Sequence, residues 1–122
     1  MKIKITGIGS YIPALKIHNT DFDKHVFLNE DGSAFAYPND VVISKFKGIT
    51  GIEQRRYAED HLNSSDLAFF ASEKAIEDAK IDPETIDYII YAHNFGDVNH
   101  GTIQTDTLPS LATRVKNKLQ IK

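Results

Sequence analysis

An alanine stripe between Ser64 and Lys80 runs straight into a helix stop and then a short apolar run, and this succession constrains the fold more than any other feature. Leu67, Ala71, Ala75 and Ala79 recur every four residues, Ala68 and Ile76 widen the stripe, and Glu73, Lys74, Glu77 and Asp78 populate the other face. The pattern predicts a helix from a cap at Ser64 or Ser65 to about Lys80, with side chains small enough to pack close to a sheet. Asp82-Pro83 ends it. Ile86 through Ala92 is then rich in aromatic and β-branched residues, as in a buried parallel strand. Near the start, Ile3 and Ile5 alternate with Lys2, Lys4 and Thr6, which predicts a strand from Lys2 to about Gly9. Strand, helix and strand in this order predict an α/β fold with a largely parallel or mixed sheet and flanking helices. Two strands bury their apolar faces poorly, and Gln120-Ile121-Lys122 follows a helix where a returning strand is due, so an incomplete sheet is expected.

At 122 residues the chain is expected to form one domain, 1–122, with enough length for an ordinary core. A hydrophobic share of 41% with 25% charged residues argues against intrinsic disorder. Fourteen basic and 17 acidic residues give a net charge of −3 without a long basic block, which counts against nucleic-acid binding. The absence of cysteine excludes a disulfide framework, a thiolate metal site and a cysteine nucleophile within these residues. The longest apolar run, Tyr88 to Ala92, is far short of the roughly 20 residues of a membrane helix, and the N-terminus does not read as a signal peptide. A cytoplasmic protein without a membrane span is expected.

Between these anchors, Asn19 or Thr20 is predicted to cap a short helix through Asp21 to Val26. Residues 28–40, with Asn29, Asp31, Gly32, Ser33, Pro38 and Asn39, read as an exposed excursion. Val41 to Phe46 and the stretch from Glu53 to Tyr57 read as two short segments around a turn at Gly48 to Ile52. A long polar, glycine-bearing loop runs from His93 to Thr107, after which Pro109 suits the first position of a last helix. Leu111, Ala112, Val115 and Leu119 form its apolar face, and Arg114, Lys116 and Lys118 favour its C-terminal dipole.

Three clusters invite functional readings. Gly7-Ile8-Gly9 after a strand hints at dinucleotide binding, but Ile12 stands where a third glycine is required and Pro13 precedes any helix, so a tight turn is the better reading. Of the five histidines, His93 and His100 lie near Asp97, yet none has the spacing of a zinc site, and no metal is expected. Lys45, Lys47, Arg55 and Arg56 could hold a phosphate, or could equally form a solvated face with internal pairs to Glu53 and Asp60.

Longer motifs are more specific. Gly7-Ile8-Gly9-Ser10-Tyr11-Ile12-Pro13, Asn19-Thr20-Asp21-Phe22 and Thr50-Gly51-Ile52-Glu53-Gln54-Arg55-Arg56 resemble the N-terminus of the β-ketoacyl-acyl-carrier-protein synthase III family. So do Ser65-Asp66-Leu67-Ala68, Ala75 to Lys80, Ile86-Asp87-Tyr88-Ile89-Ile90 and Leu108-Pro109-Ser110, in the family's order and at similar spacing. The resemblance implies the N-terminal portion of a thiolase-like fold. It also implies decarboxylative condensation of an acyl thioester, held on a cysteine, with malonyl-carrier protein in fatty acid or related lipid biosynthesis. The family's Cys, His and Asn find no match here, so this segment alone is expected to be inactive. Relatives that use acetyl-coenzyme A resemble one another in a Trp and an Arg that meet the nucleotide; Lys45 and Ile49 stand at those positions, with Lys47 beside them. Acyl groups delivered on carrier protein are therefore expected, with Lys45 or Lys47 meeting the acidic carrier or its phosphopantetheine phosphate. Leu108 stands where relatives place a residue that bounds the partner subunit's acyl pocket, and a homodimer or other self-association is implied. No cofactor is implied. The competing reading is a free-standing, non-catalytic α/β binding domain that uses the loop from His93 to Thr107 as its contact surface.

Overall fold

The computed structural model describes residues 2–122. It is a mixed α/β structure with three helices and two short antiparallel ribbons. The chain divides into two compact units, Ala14–Tyr57 on one side and the residues up to Pro13 together with Ala58–Lys122 on the other.

In the unit Ala14–Tyr57, strand β1 (Leu15–His18) pairs antiparallel with β2 (Gln54–Tyr57), Leu15 opposite Tyr57 and His18 opposite Gln54. A 3-10 turn at Asn19–Phe22 replaces the helix expected through Val26. The Asp21 carboxylate accepts from the His18 N–H at 2.7 Å, a local bond that favours a single tight turn. Of the two short segments expected around a turn at Gly48 to Ile52, Glu53 to Tyr57 forms as β2, whereas Val41 to Phe46 is part of a longer helix, α1 (Asn39–Thr50), which takes Gly48 to Thr50 out of the expected turn. Gly51 ends it in the left-handed conformation (φ 67°), with its N–H bonded to Lys47 O at 2.8 Å. Val42 is buried, and Phe27 meets Phe46 edge-on at 5.6 Å. Side chains from 28 to 38 are exposed, around a turn closed by a Leu28–Ala34 bridge.

The other unit is built on α2 (Ser64–Ala79) and α3 (Leu111–Lys118). The cap of α2 is Asn63, one residue before the expected serines, and the Asp66 carboxylate reaches back to its N–H at 2.8 Å. Pro109 precedes the cap of α3 rather than opening the helix; Ser110 is the cap and accepts from the Thr113 N–H at 3.3 Å. The expected apolar face of α3 is the core of the unit: Leu111 and Val115 are each 1% exposed. Lys118 Nζ lies 2.7 Å from Asp66, which ties the last turn of α3 to the first turn of α2. The long loop contains a second ribbon, β3 (Asp97–Val98) with β4 (Thr105–Asp106).

The largely parallel sheet is not what forms. Neither Lys2–Gly9 nor Ile86–Ala92 is a strand, and all strand pairing among the described residues is antiparallel. The polar groups of the first segment turn to α2 instead: Ile8 N–H donates to Asp78 at 3.0 Å, and Ser10 O accepts from Lys74 Nζ at 3.0 Å. The glycines explain this approach. A Cβ on Gly7 would collide with the backbone at Ala75 and Ala79, and one on Gly9 with the backbone at Ala71 and Ala75. Gly7 and Gly9 thus serve a helix contact rather than the tight turn expected of them, and the alanine stripe of α2 is the surface they meet.

Candidate functional site

Helix α1 positions three of the four residues singled out in the sequence. Val41, Lys45 and Ile49 recur every four residues and stand exposed along one side of the helix. The Lys45 ammonium sits over the Tyr37 ring, 4.8 Å from its centroid, and Phe35 packs against Tyr37 at 5.8 Å. Ile49 is 82% exposed. The face is therefore aromatic and aliphatic with one ammonium at its middle. Sequence reasoning missed Phe35, Tyr37 and Val41; the four-residue spacing of Val41 from Lys45 was a signal that could have found the last of them.

Lys47 points elsewhere. Its ammonium is 2.5 Å from the Glu53 carboxylate, and that hydrogen bond and charge hold the Glu53 carboxyl below its usual range. Lys47 and Glu53 border a cavity of about 300 Å³ that His18, Asn19, Ile43 and Ser44 also line. Asn19 fixes its wall: buried, it donates to Ile52 O at 2.6 Å and its backbone N–H bonds to Glu53 O at 3.0 Å. Of the internal pairs expected for the basic cluster, Lys47–Glu53 forms, whereas Asp60 pairs with His100 at 3.2 Å. Arg56 Nη1 donates to Ala14 O at 3.2 Å along the ribbon.

Leu108 belongs to the other unit, where its side chain is 82% exposed and its backbone is held by a charged network. Arg114 on α3 donates through Nη2 to Leu108 O at 2.9 Å and through Nε to Pro109 O at 3.0 Å. The same guanidinium pairs with Asp97 at 3.0 Å and Asp106 at 2.7 Å. The hydrogen bond with Asp106 dominates the electrostatics, lowering the Asp106 carboxyl and raising the guanidinium. Asp97, 3% exposed, also accepts from the Ser65 N–H at 2.8 Å and the Ser65 hydroxyl at 2.7 Å. These groups border a cleft of about 660 Å³ between the first turn of α2 and α3. Asp97, considered above only as a companion of two histidines, is thus a structural centre. Its supposed companions part from it: His93 accepts from the Gly96 N–H, and His100 goes to Asp60. Among the described residues no group of three or more His, Cys, Asp or Glu could hold a metal ion, and no helix is long and apolar enough to cross a membrane.

No family model matches the chain. Individual proteins do. A protein of Staphylococcus haemolyticus named beta-ketoacyl-[acyl-carrier-protein] synthase III is 37% identical over 122 residues, all of this chain and 32% of that protein. Proteins of the same name from Staphylococcus aureus strains JH1 and Mu3 are 41% identical over 103 residues, 84% of this chain and 29% of theirs. The chain is homologous along its whole length to the beta-ketoacyl-[acyl-carrier-protein] synthase III family, and it spans about a third of the length of these relatives.

Proposed function

We propose that this chain is part of a synthase III-like condensing enzyme with a thiolase-like fold, in which the outer face of α1 helps to select the acyl primer. The observation that carries the reading is the whole-length similarity to proteins of that name. In the proposed reaction a cysteine thiolate takes the acyl group as a thioester, malonyl-carrier protein loses carbon dioxide, and the resulting carbanion attacks the thioester carbonyl and expels the thiolate. The 122 residues contain no cysteine, so in this reading the thioester forms on a residue of the synthase outside them; it is the resemblance that assigns the assisting His and Asn there as well.

By the resemblance, Lys45 and Ile49 take the positions of the aromatic ring and guanidinium that meet a nucleotide; here they are an ammonium over Tyr37 and an exposed alkyl group. This supports an acyl primer presented on carrier protein, with Lys45 or Lys47 as its cationic contact and Leu108 bounding the acyl pocket of a second copy in a cytoplasmic homodimer. The chain by itself, incubated with acyl-coenzyme A and malonyl-carrier protein, should show neither turnover above a no-protein control nor an acyl adduct by mass spectrometry. The full-length synthase should prefer acyl-carrier protein, and K45W with I49R should improve its use of acetyl-coenzyme A by roughly tenfold to a hundredfold. Equal use of both primers by the unsubstituted enzyme would remove the basis for this reading of α1.

A further inference from the structure

The loop from His93 to Thr107 is tied down at two histidines whose bonds make opposite demands on protonation. His93 Nδ1 accepts from the Gly96 N–H at 3.0 Å, which requires a lone pair on Nδ1 and places the proton of the neutral ring on Nε2. Gly96 itself is buried in a left-handed conformation (φ 80°). A Cβ there would stand 2.8 Å from Asp106 O and 3.0 Å from Thr107 Cγ2, so the turn is wedged against the returning chain. The next residue is Asp97, whose carboxylate anchors Ser65 and Arg114. At the loop tip the demand is reversed, because His100 Nδ1 lies 3.2 Å from the Asp60 carboxylate and that contact strengthens when the ring is charged.

We propose that His93 is an acid-released latch: neutral, it closes the turn onto Gly96 and holds Asp97 in place; protonated, it lets the stem of the loop open while His100 keeps the tip anchored. The second proton puts an N–H on Nδ1, donor against donor, and leaves the buried Gly96 N–H without an acceptor. The surroundings do not offset this. The charged groups beside the turn are Asp97 and Asp106, both bonded to Arg114. Tyr91 packs on the imidazole at 5.6 Å between centroids, but its hydroxyl is engaged with Ser64. Among the described residues no carboxylate pairs with His93.

Hydrogen exchange of the Gly96 amide, corrected for the intrinsic pH dependence of exchange, tests the latch on the chain itself. Between about pH 8 and pH 5 its exchange should quicken by about tenfold, the worth of one lost hydrogen bond. H93N preserves an uncharged acceptor and should abolish that response. Nitrogen NMR of the wild-type ring gives a second readout that needs no variant, and Nδ1 should be the bare nitrogen at the upper pH. Equal protection at both pH values, an undiminished acid response in H93N, or a proton on Nδ1 in the neutral ring would each overturn the proposal.

Discussion

Replacing Asp97 by Ala should be among the most damaging single changes in the unit that holds α2 and α3. The carboxylate is 3% exposed and accepts three bonds: the Ser65 N–H at 2.8 Å, the Ser65 hydroxyl at 2.7 Å and Arg114 Nη1 at 3.0 Å. Arg114 keeps Asp106 and two carbonyls after the change, so the main loss falls at Ser65, itself 2% exposed, whose two donors would face a void. Each orphaned buried donor costs about 1–3 kcal/mol, and relief from burying the carboxylate offsets part of the sum, leaving about 3 kcal/mol. That is a large share of the roughly 5–15 kcal/mol that holds a typical domain together. Urea denaturation followed by circular dichroism measures it. D97N should lose less, because one amide oxygen can still serve the Ser65 N–H while the amide nitrogen opposes Arg114. S65A removes one donor and leaves the ion pair, so in a double-mutant cycle the losses at 65 and 97 should be strongly non-additive. A D97A loss below about 1 kcal/mol, or additive losses in the cycle, would refute the claim that Ser65 is the beneficiary.

Other outcomes follow from the same geometry. G9A should destabilise by about 1–3 kcal/mol, because the added carbon meets the α2 backbone, which cannot yield; thermal melts compare it with G48A. In G48A nothing lies within 4 Å of the added carbon and the site is helical, in the last turn of α1, so stability should rise by about 0.4–1 kcal/mol. L111A should cost about 2–5 kcal/mol in the same melts, since Leu111, the first residue of α3, is 1% exposed. Burial works to raise the Asp66 carboxyl, but the hydrogen bonds from Lys118 and the Asn63 N–H outweigh it and leave it lowered. A lowered carboxyl stabilises fully above its ordinary range and loses that contribution as pH falls through the folded-state value, so stability should decline below about pH 4 and K118M should flatten the decline.

What the sequence determined by itself is largely what is local. The helix of the alanine stripe and the buried face of α3 follow from periodicity, which neighbouring residues carry among themselves, whereas the helix that Lys45 and Ile49 share does not, since Ile49 reads as part of a turn. The homology was legible for a similar reason, since motifs at Asn19 and at Thr50 to Arg56 keep their order and spacing. The structure brings these two motifs together through Asn19, which bonds to Ile52 and Glu53. The identity of the extended segments was not legible. Lys2–Gly9 and Ile86–Ala92 have strand-like composition, but a strand also needs a partner, and Gly7 and Gly9 gave the first of them to α2 instead. The same holds for the candidate site. Tyr37 lies eight residues before Lys45 and Asp97 lies 17 residues before Arg114, and no pattern in the chain announces that a ring will take the ammonium or that a carboxylate will be buried. Tertiary structure decided those pairings, because the free energy of a buried charge or a stacked cation depends on which distant groups surround it.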